Sequence, residues 1–401
     1  MILKTLTPIL LMLVTVLPSD GDEPKPSTPL RGKVTWSYFP GGEVYQQIVL
    51  SGKLCLATVI GQHSGPIPGA GQGKIVALDA ESGKLVWEFR IGARSPGPIR
   101  IWKNLALFGS EEGAVFAVAL DSGKSAWKVA IKGNLAVSHG LAVIGDSLAA
   151  VSLPKTADSN AATTLFMLNC KDGSEVWKQE GFVHQVVADS EGKLFAGSPA
   201  RITPQQFASV AAIDPSNGKR LWSFEPYKSQ FGIVEGLVVD SEKLYFATHN
   251  SLGNDSTREA VYAVKKADGK LSWKAKLENN VRTGPFLLNG KVYATDWSDR
   301  TVAVDAKSGE DVWSMGLGHM GFPLWDGVVL QGMEAYDMTA GAKNGKLVWK
   351  AEPRPQGGFT RAGSNATPVR SGERLFAVTH NNFIARVRTA VGSGDADLST
   401  S

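Results

Sequence analysis

Eight times along the chain a glycine stands four residues ahead of a tryptophan, each time after a short apolar segment. The pairs are Gly32/Trp36, Gly83/Trp87, Gly123/Trp127, Gly173/Trp177, Gly218/Trp222, Gly269/Trp273, Gly309/Trp313 and Gly345/Trp349. Successive tryptophans lie 51, 40, 50, 45, 51, 40 and 36 residues apart. A unit of that length, carrying one turn glycine and one large aromatic, describes a small sheet copied and stacked against its own copies. By length alone, 401 residues would allow two or three domains, but the repeat runs from end to end and makes them one.

The fullest copy reads Ala77-Leu-Asp-Ala-Glu-Ser-Gly-Lys-Leu-Val-Trp87, and Ala212 to Trp222, Ala263 to Trp273 and Ala303 to Trp313 follow it closely. Before each glycine runs a strand of β-branched, aromatic and small residues, such as Ala260-Val-Tyr-Ala-Val, and a second strand ends at the tryptophan. The glycine supplies positive φ without a Cβ clash, and the preceding Asp, Ser or Asn can bond the turn's free N–H groups. The result is a β-hairpin with the tryptophan on its outermost strand, placed to pack on the next hairpin and to find a backbone carbonyl for its indole N–H. Upstream of each hairpin lie two further short strands, as in Gly284-Pro-Phe-Leu-Leu and Lys291-Val-Tyr-Ala-Thr. Four antiparallel strands per copy make a propeller blade.

The two ends set the blade count. After Trp349 the chain gives Ala366-Thr-Pro-Val, Arg374 to His380 and Phe383 to Arg388, but no further tryptophan strand. At the other end, Gly32-Lys-Val-Thr-Trp36 is a tryptophan strand with no blade before it. The sequence therefore predicts an all-β, eight-bladed β-propeller of four-stranded antiparallel blades, with the N-terminal strand closing the last blade and covering the free edges. The repeated Ala-x-Asp-x-x-x-Gly-Lys-x-x-Trp module resembles the tryptophan-docking repeat of pyrroloquinoline-quinone-like propellers. That family includes quinoprotein dehydrogenases and an eight-bladed lipoprotein of outer-membrane protein assembly.

Residues 1–19 read as a secretory signal peptide: Lys4, a nearly unbroken apolar stretch from Leu6 to Leu17, then Pro18-Ser19-Asp20. Residues 20–31 read as a disordered linker, 32–392 as the propeller and 393–401 as a disordered tail. These segments predict a periplasmic or secreted monomer with no membrane span once the leader is removed. No cysteine follows the leader to carry the lipid of the assembly lipoprotein. The formal charge of +4, without a basic run or a basic stripe interleaved with aromatics, excludes a nucleic-acid partner. Cys55 and Cys170 fall in different blades, too far apart to bridge, and are expected to be free buried thiols.

The resemblance implies one possible chemistry. Its dehydrogenases hold pyrroloquinoline quinone in the central channel under a disulfide of adjacent cysteines, with a calcium ion on Glu, Asn and Asp. This chain has no adjacent cysteines, and Asp296-Trp-Ser-Asp299 and Glu111-Glu112 are its nearest approach to a calcium loop. No cofactor is therefore expected. Pyrroloquinoline quinone with calcium belongs to the alternative reading, a quinone- or metal-dependent oxidoreductase with its site in the channel.

The unequal tryptophan spacings hold more information. The extra residues fall between second and third strands of blades one, three, four and five, at Gly61–Gly73, Ser152–Thr163, Ser198–Ser209 and His249–Glu259. In a propeller these loops share one face with the links between blades, and binding commonly sits on such a face. All six histidines map there: His63, His249 and His380 near the ends of second strands, His139, His184 and His319 at the openings of first strands. Arg94, Ser95, Gln185, Arg282, Thr283, Arg361 and Asn365 stand at the same channel mouth, where arginines attract an anionic ligand or acidic peptide. Trp297 lies outside the repeat positions, in a link between second and third strands, and is the candidate exposed aromatic anchor. The leading expectation is an exported, non-enzymatic scaffold that binds a protein or peptide through this face, in the manner of envelope assembly. The oxidoreductase and a saccharide-binding module using Trp297 are the alternatives.

Overall fold

The computed structural model describes residues 30–61, 72–92, 96–131, 135–137, 140–154, 163–180, 184–198, 207–228, 232–250, 259–298, 300–316, 322–325, 328–331, 334–338, 346–352, 368–371, 374–378 and 383–388. Every regular element among them is a β-strand. They form eight blades of four antiparallel strands arranged as a propeller ring. Blade 1 runs through Glu43–Ser51, Leu54–Ile60, Lys74–Asp79 and Leu85–Arg90, each strand paired with the next from the inside outward. The other blades repeat that order. Blade 3 departs slightly: its inner strand is split into Leu135–Ala136 and Leu141–Ile144, both pairing with Ser147–Pro154.

Second and third strands form the core because they are covered on both faces. Leu54–Ile60 and Ala114–Ala119 are buried almost throughout, whereas the outer strand Ser125–Ala130 is largely exposed. The apolar side chains gather between blades rather than inside them. One cluster joins Leu56, Ile75 and Trp87 of blade 1 to Ala106, Phe108 and Phe116 of blade 2, and another joins Leu107 and Val115 to Leu148 and Phe166 of blade 3.

The tryptophans connect each blade to its successor. Trp87 Nε1 donates to Leu120 O at 2.7 Å, Trp127 to Cys170 O at 3.0 Å, Trp177 to Pro215 O at 2.8 Å, Trp222 to Lys266 O at 3.0 Å and Trp273 to Ala306 O at 3.0 Å. Every acceptor belongs to the outer hairpin of the following blade. The turn glycines have positive φ, as at Gly83 (71°) and Gly123 (68°). They also serve the neighbouring blade: a Cβ on Gly123 would stand 2.7 Å from Trp87 Cγ, and one on Gly269 would stand 2.5 Å from Trp222 Cε3. Gly83, Gly123, Gly173, Gly218, Gly269 and Gly309 thus floor the tryptophan of the preceding copy, not the one four residues along their own chain. Trp313 Nε1 meets no acceptor among the described residues, and the side chain of Trp349 lies outside them.

The ring closes as the two ends predict. Leu30–Tyr38 pairs antiparallel with Ile384–Arg388 and becomes the outer strand of blade 8, with Trp36 Nε1 donating to Ala80 O of blade 1 at 3.2 Å. The closing strand does more than complete its blade. Its first residues also pair in parallel with the outer strand of blade 7, Leu30 opposite Trp349 and Lys33 opposite Glu352. Blades 7 and 8 therefore share one continuous eight-stranded sheet. Both cysteines are buried and free.

Candidate functional site

Ends of second and outer strands, and starts of first and third strands, share one face of the ring. The described part of that face is richest at blade 6. There the link after the outer strand of blade 5 (Leu271–Lys276) leads through Glu278, Asn279 and Asn280 into the inner strand Val281–Leu288. The second strand Lys291–Asp296 ends beside it, and the third, Arg300–Asp305, begins there.

Trp297 stands at the turn between those two strands and is 60% exposed. Its backbone is held firmly. Asp296 is fully buried, and its Oδ1 accepts the N–H groups of Ser298 (2.9 Å) and Arg300 (3.1 Å), an arrangement in which a short carboxylate satisfies the donors of a tight turn. Trp297 N donates to Asn280 O at 2.9 Å, and Asn279 Nδ2 donates to Ser298 Oγ at 3.0 Å, tying the turn to the inter-blade link. Arg282, from the inner strand, lies over the indole with its guanidinium carbon 5.0 Å from the ring centroid. Such a stack reduces the rotamer freedom of both groups and leaves an apolar face beside a positive charge.

Below this surface the link is fixed by buried polar contacts. The amide of Asn280 donates to both carboxylate oxygens of Glu259, at 2.7 and 3.1 Å, joining blades 5 and 6. Glu259 is 2% exposed, and its backbone O accepts from Leu277 N at 2.9 Å. At the rim Arg300 pairs with Glu278 through Nη1 and bonds Ser314 Oγ through Nε. The surface thus combines an exposed aromatic, two arginines and amide or hydroxyl donors on a rigid base.

The structure brings Arg282 and Trp297 together. His184 stands directly before the inner strand Gln185–Ala188 of blade 4, its N–H donating to Gly197 O at 2.7 Å, with Gln185 opening the strand opposite Gly197. His249 is the penultimate residue of Lys243–Asn250 in blade 5, opposite Ile233. His63, Arg94, His139, His319, Arg361 and His380 lie outside the described residues, as do most of the long loops between second and third strands. No group of three or more His, Cys, Asp or Glu side chains converges among the described residues. Arg100, on the inner strand of blade 2, was not singled out by the sequence. It sits in an ordinary strand segment, Gly97-Pro-Ile-Arg-Ile, and only register alignment across blades marks it.

The chain matches the family described as outer membrane protein assembly factor BamB over residues 64–181 and 206–397. It belongs to that family. BamB of Moranella endobia (strain PCIT) is 25% identical over 335 residues, covering 75% of each chain. Among solved structures, BamB from Moraxella catarrhalis superposes with a TM-score of 0.58 at 14% identity, covering 89% of this chain and 99% of that one. The quinohemoprotein alcohol dehydrogenase of Comamonas testosteroni gives a TM-score of 0.60 at 12% identity over 90% of this chain and 77% of its own. At such identities the structural likeness shows the shared ring of blades. Cys55 and Cys170 are separate buried thiols. No helix among the described residues is long and apolar enough to cross a membrane.

Proposed function

We propose that this BamB-family chain is a non-enzymatic scaffold that binds a protein partner during outer-membrane protein assembly, using the face that carries Trp297 and Arg282. Family membership across residues 64–181 and 206–397 is the observation that carries the reading. The stacked Trp297–Arg282 pair supplies its chemistry, since exposed aromatics and arginines dominate protein interfaces. His184 and Gln185 of blade 4 and His249 of blade 5 belong to the same face. Export through the leader at 1–19, followed by the 20–31 linker, places the propeller in the periplasm as a monomer. It needs no cofactor for this role.

The test is crosslinking in the native envelope followed by mass spectrometry, comparing wild type with Trp297→Ala. Trp297 is exposed and its turn is held by backbone contacts, so the substitution should change stability by less than about 0.5 kcal/mol. The expected result is loss of a specific crosslinked protein at unchanged folding. Unaltered crosslinks would remove Trp297 from the interface. Stoichiometric uptake of pyrroloquinoline quinone with calcium, accompanied by dye reduction, would instead establish the oxidoreductase reading.

A further inference from the structure

Inner strands of successive blades pack side by side around the axis of the ring. In each blade one inner-strand residue lies in register, through the second and third strands, with the docking tryptophan of the outer strand. Blade by blade those residues are Val49, Arg100, Ala142, Val187, Val238, Phe286, Phe322 and Val369. Seven are apolar and one is an arginine.

The Arg100 guanidinium reaches across to the inner strand of blade 3. Gly140 O, in blade 3, is used within its own sheet, accepting from Val151 N at 2.9 Å. Carbonyls alternate in direction along a strand, so the next one, Leu141 O, points to the opposite, unpaired edge, which faces the axis. Arg100 Nε donates to Leu141 O at 2.8 Å, and Nη1 donates to Ile99 O at 3.0 Å. Both contacts hold the group in place and neither neutralises it. Nη2 meets no acceptor, and no carboxylate pairs with Arg100 among the described residues. Burial alone pulls its pKa down to about 10, so it stays charged at neutral pH.

Arg100 is half-buried and has no counter-charge among the described residues, an arrangement for which apolar residues commonly do as well or better for stability. The other blades show that this position packs without a charge. We propose that Arg100 is the anchor of an anion site in the channel between blades 2 and 3, and that the site takes a carboxylate. The oriented guanidinium, with Nη2 open, matches a carboxylate's planar oxygens. A carboxylate of this kind comes from a free small acid or from the C-terminus of a polypeptide, and the test below separates the two. The inference stands apart from the partner-binding face at Trp297.

The side-chain ¹⁵Nε–¹Hε resonance of Arg100 in the full chain reports on the site, assigned by its absence from Arg100→Met. Sodium acetate is titrated against sodium chloride at matched ionic strength. A saturable shift with acetate alone, at an apparent Kd of about 1 mM or tighter, is the expected result. An acetyl-Gly-Phe dipeptide with a free C-terminus is then compared with its amide. A shift with the free acid and none with the amide assigns a polypeptide source, and a shift with acetate alone assigns a small acid. No saturable shift with either carboxylate overturns the proposal. Thermal unfolding gives an independent check. Arg100→Met in chloride should melt at or above wild type, and acetate at tenfold its Kd should raise wild type by about 2 °C while leaving the variant unmoved. If Arg100→Met melts well below wild type and acetate affects neither, the guanidinium is a clamp between blades 2 and 3 and the proposal fails.

Discussion

Gly123→Ala tests the central packing argument. Gly123 has φ +68°, and an added Cβ would stand 2.7 Å from Trp87 Cγ and 2.8 Å from Trp87 Cβ. Two costs are therefore expected: about 1–2 kcal/mol for an alanine in the left-handed region, and about 1–3 kcal/mol for forcing a packed ring aside. Gly145 provides the control, with φ +56° and nothing within 4 Å of its Cβ position. Gly145→Ala should cost only the conformational part, about 1–2 kcal/mol, and Gly123→Ala about 2–5 kcal/mol. The difference must also disappear when the ring does. Trp87→Ala alone should cost about 3–5 kcal/mol because the side chain is buried and its N–H is bonded to Leu120 O. In that background Gly123→Ala should cost no more than Gly145→Ala, a coupling of about 1–3 kcal/mol. Urea unfolding followed by far-UV circular dichroism measures all of these without relying on the tryptophan signal. Equal costs for the two glycines, or no coupling to Trp87, would refute the idea that the turn glycine exists to receive the neighbouring blade's indole.

Two further outcomes follow from buried groups. Lys266 Nζ and Asp189 Oδ2 form a 2.6 Å ion pair between blades 5 and 4, each side chain 3% exposed, with Lys266 also donating to Asp240 O. Asp189→Asn should lower urea-unfolding stability by up to about 3–5 kcal/mol, because it leaves a buried ammonium with only the more distant, exposed Glu191 carboxylate at 4.0 Å, and Asp189→Leu with Lys266→Met should recover most of that loss. Burial raises the Cys55 and Cys170 thiols to about 12 in the folded protein, with the Asp146 charge adding to the effect at Cys170. A raised folded value means that the unfolded state loses these protons first. Stability is then fully kept below the ordinary thiol value of 9.0 and declines as pH rises from there toward 12. The urea midpoint should fall across that window, and Cys55→Ala with Cys170→Ala should flatten the fall. An unchanged slope would show that other groups govern it.

Much of the fold is legible in the chain because its signals are local. A turn glycine, an Asx or Ser beside it and period-two strands recur often enough to reveal four-stranded blades, and a tryptophan strand without a blade at one end and a blade without a tryptophan strand at the other reveal closure. The candidate site is less legible. Trp297 stands out because it breaks the repeat, and Arg282 because it opens a first strand, but nothing in their spacing shows that they stack. Arg100 is harder still. Isoleucine, arginine and tryptophan in Ile99-Arg-Ile-Trp102 read as an ordinary strand until register places the arginine opposite the apolar residues of seven other blades.

The sequence by itself determined the class of fold, the number of blades and the positions of the outer turns, since backbone conformation and side-chain alternation are properties of neighbouring residues. Tertiary structure decided which tryptophan each glycine serves. It also decided that Leu30–Lys33 joins blades 7 and 8 in one sheet, and that Arg282 and Trp297 form one surface. Those relations depend on how copies distant in the chain are rotated about a common axis. A repeat repeats the residues, but the ring sets which copy each residue meets.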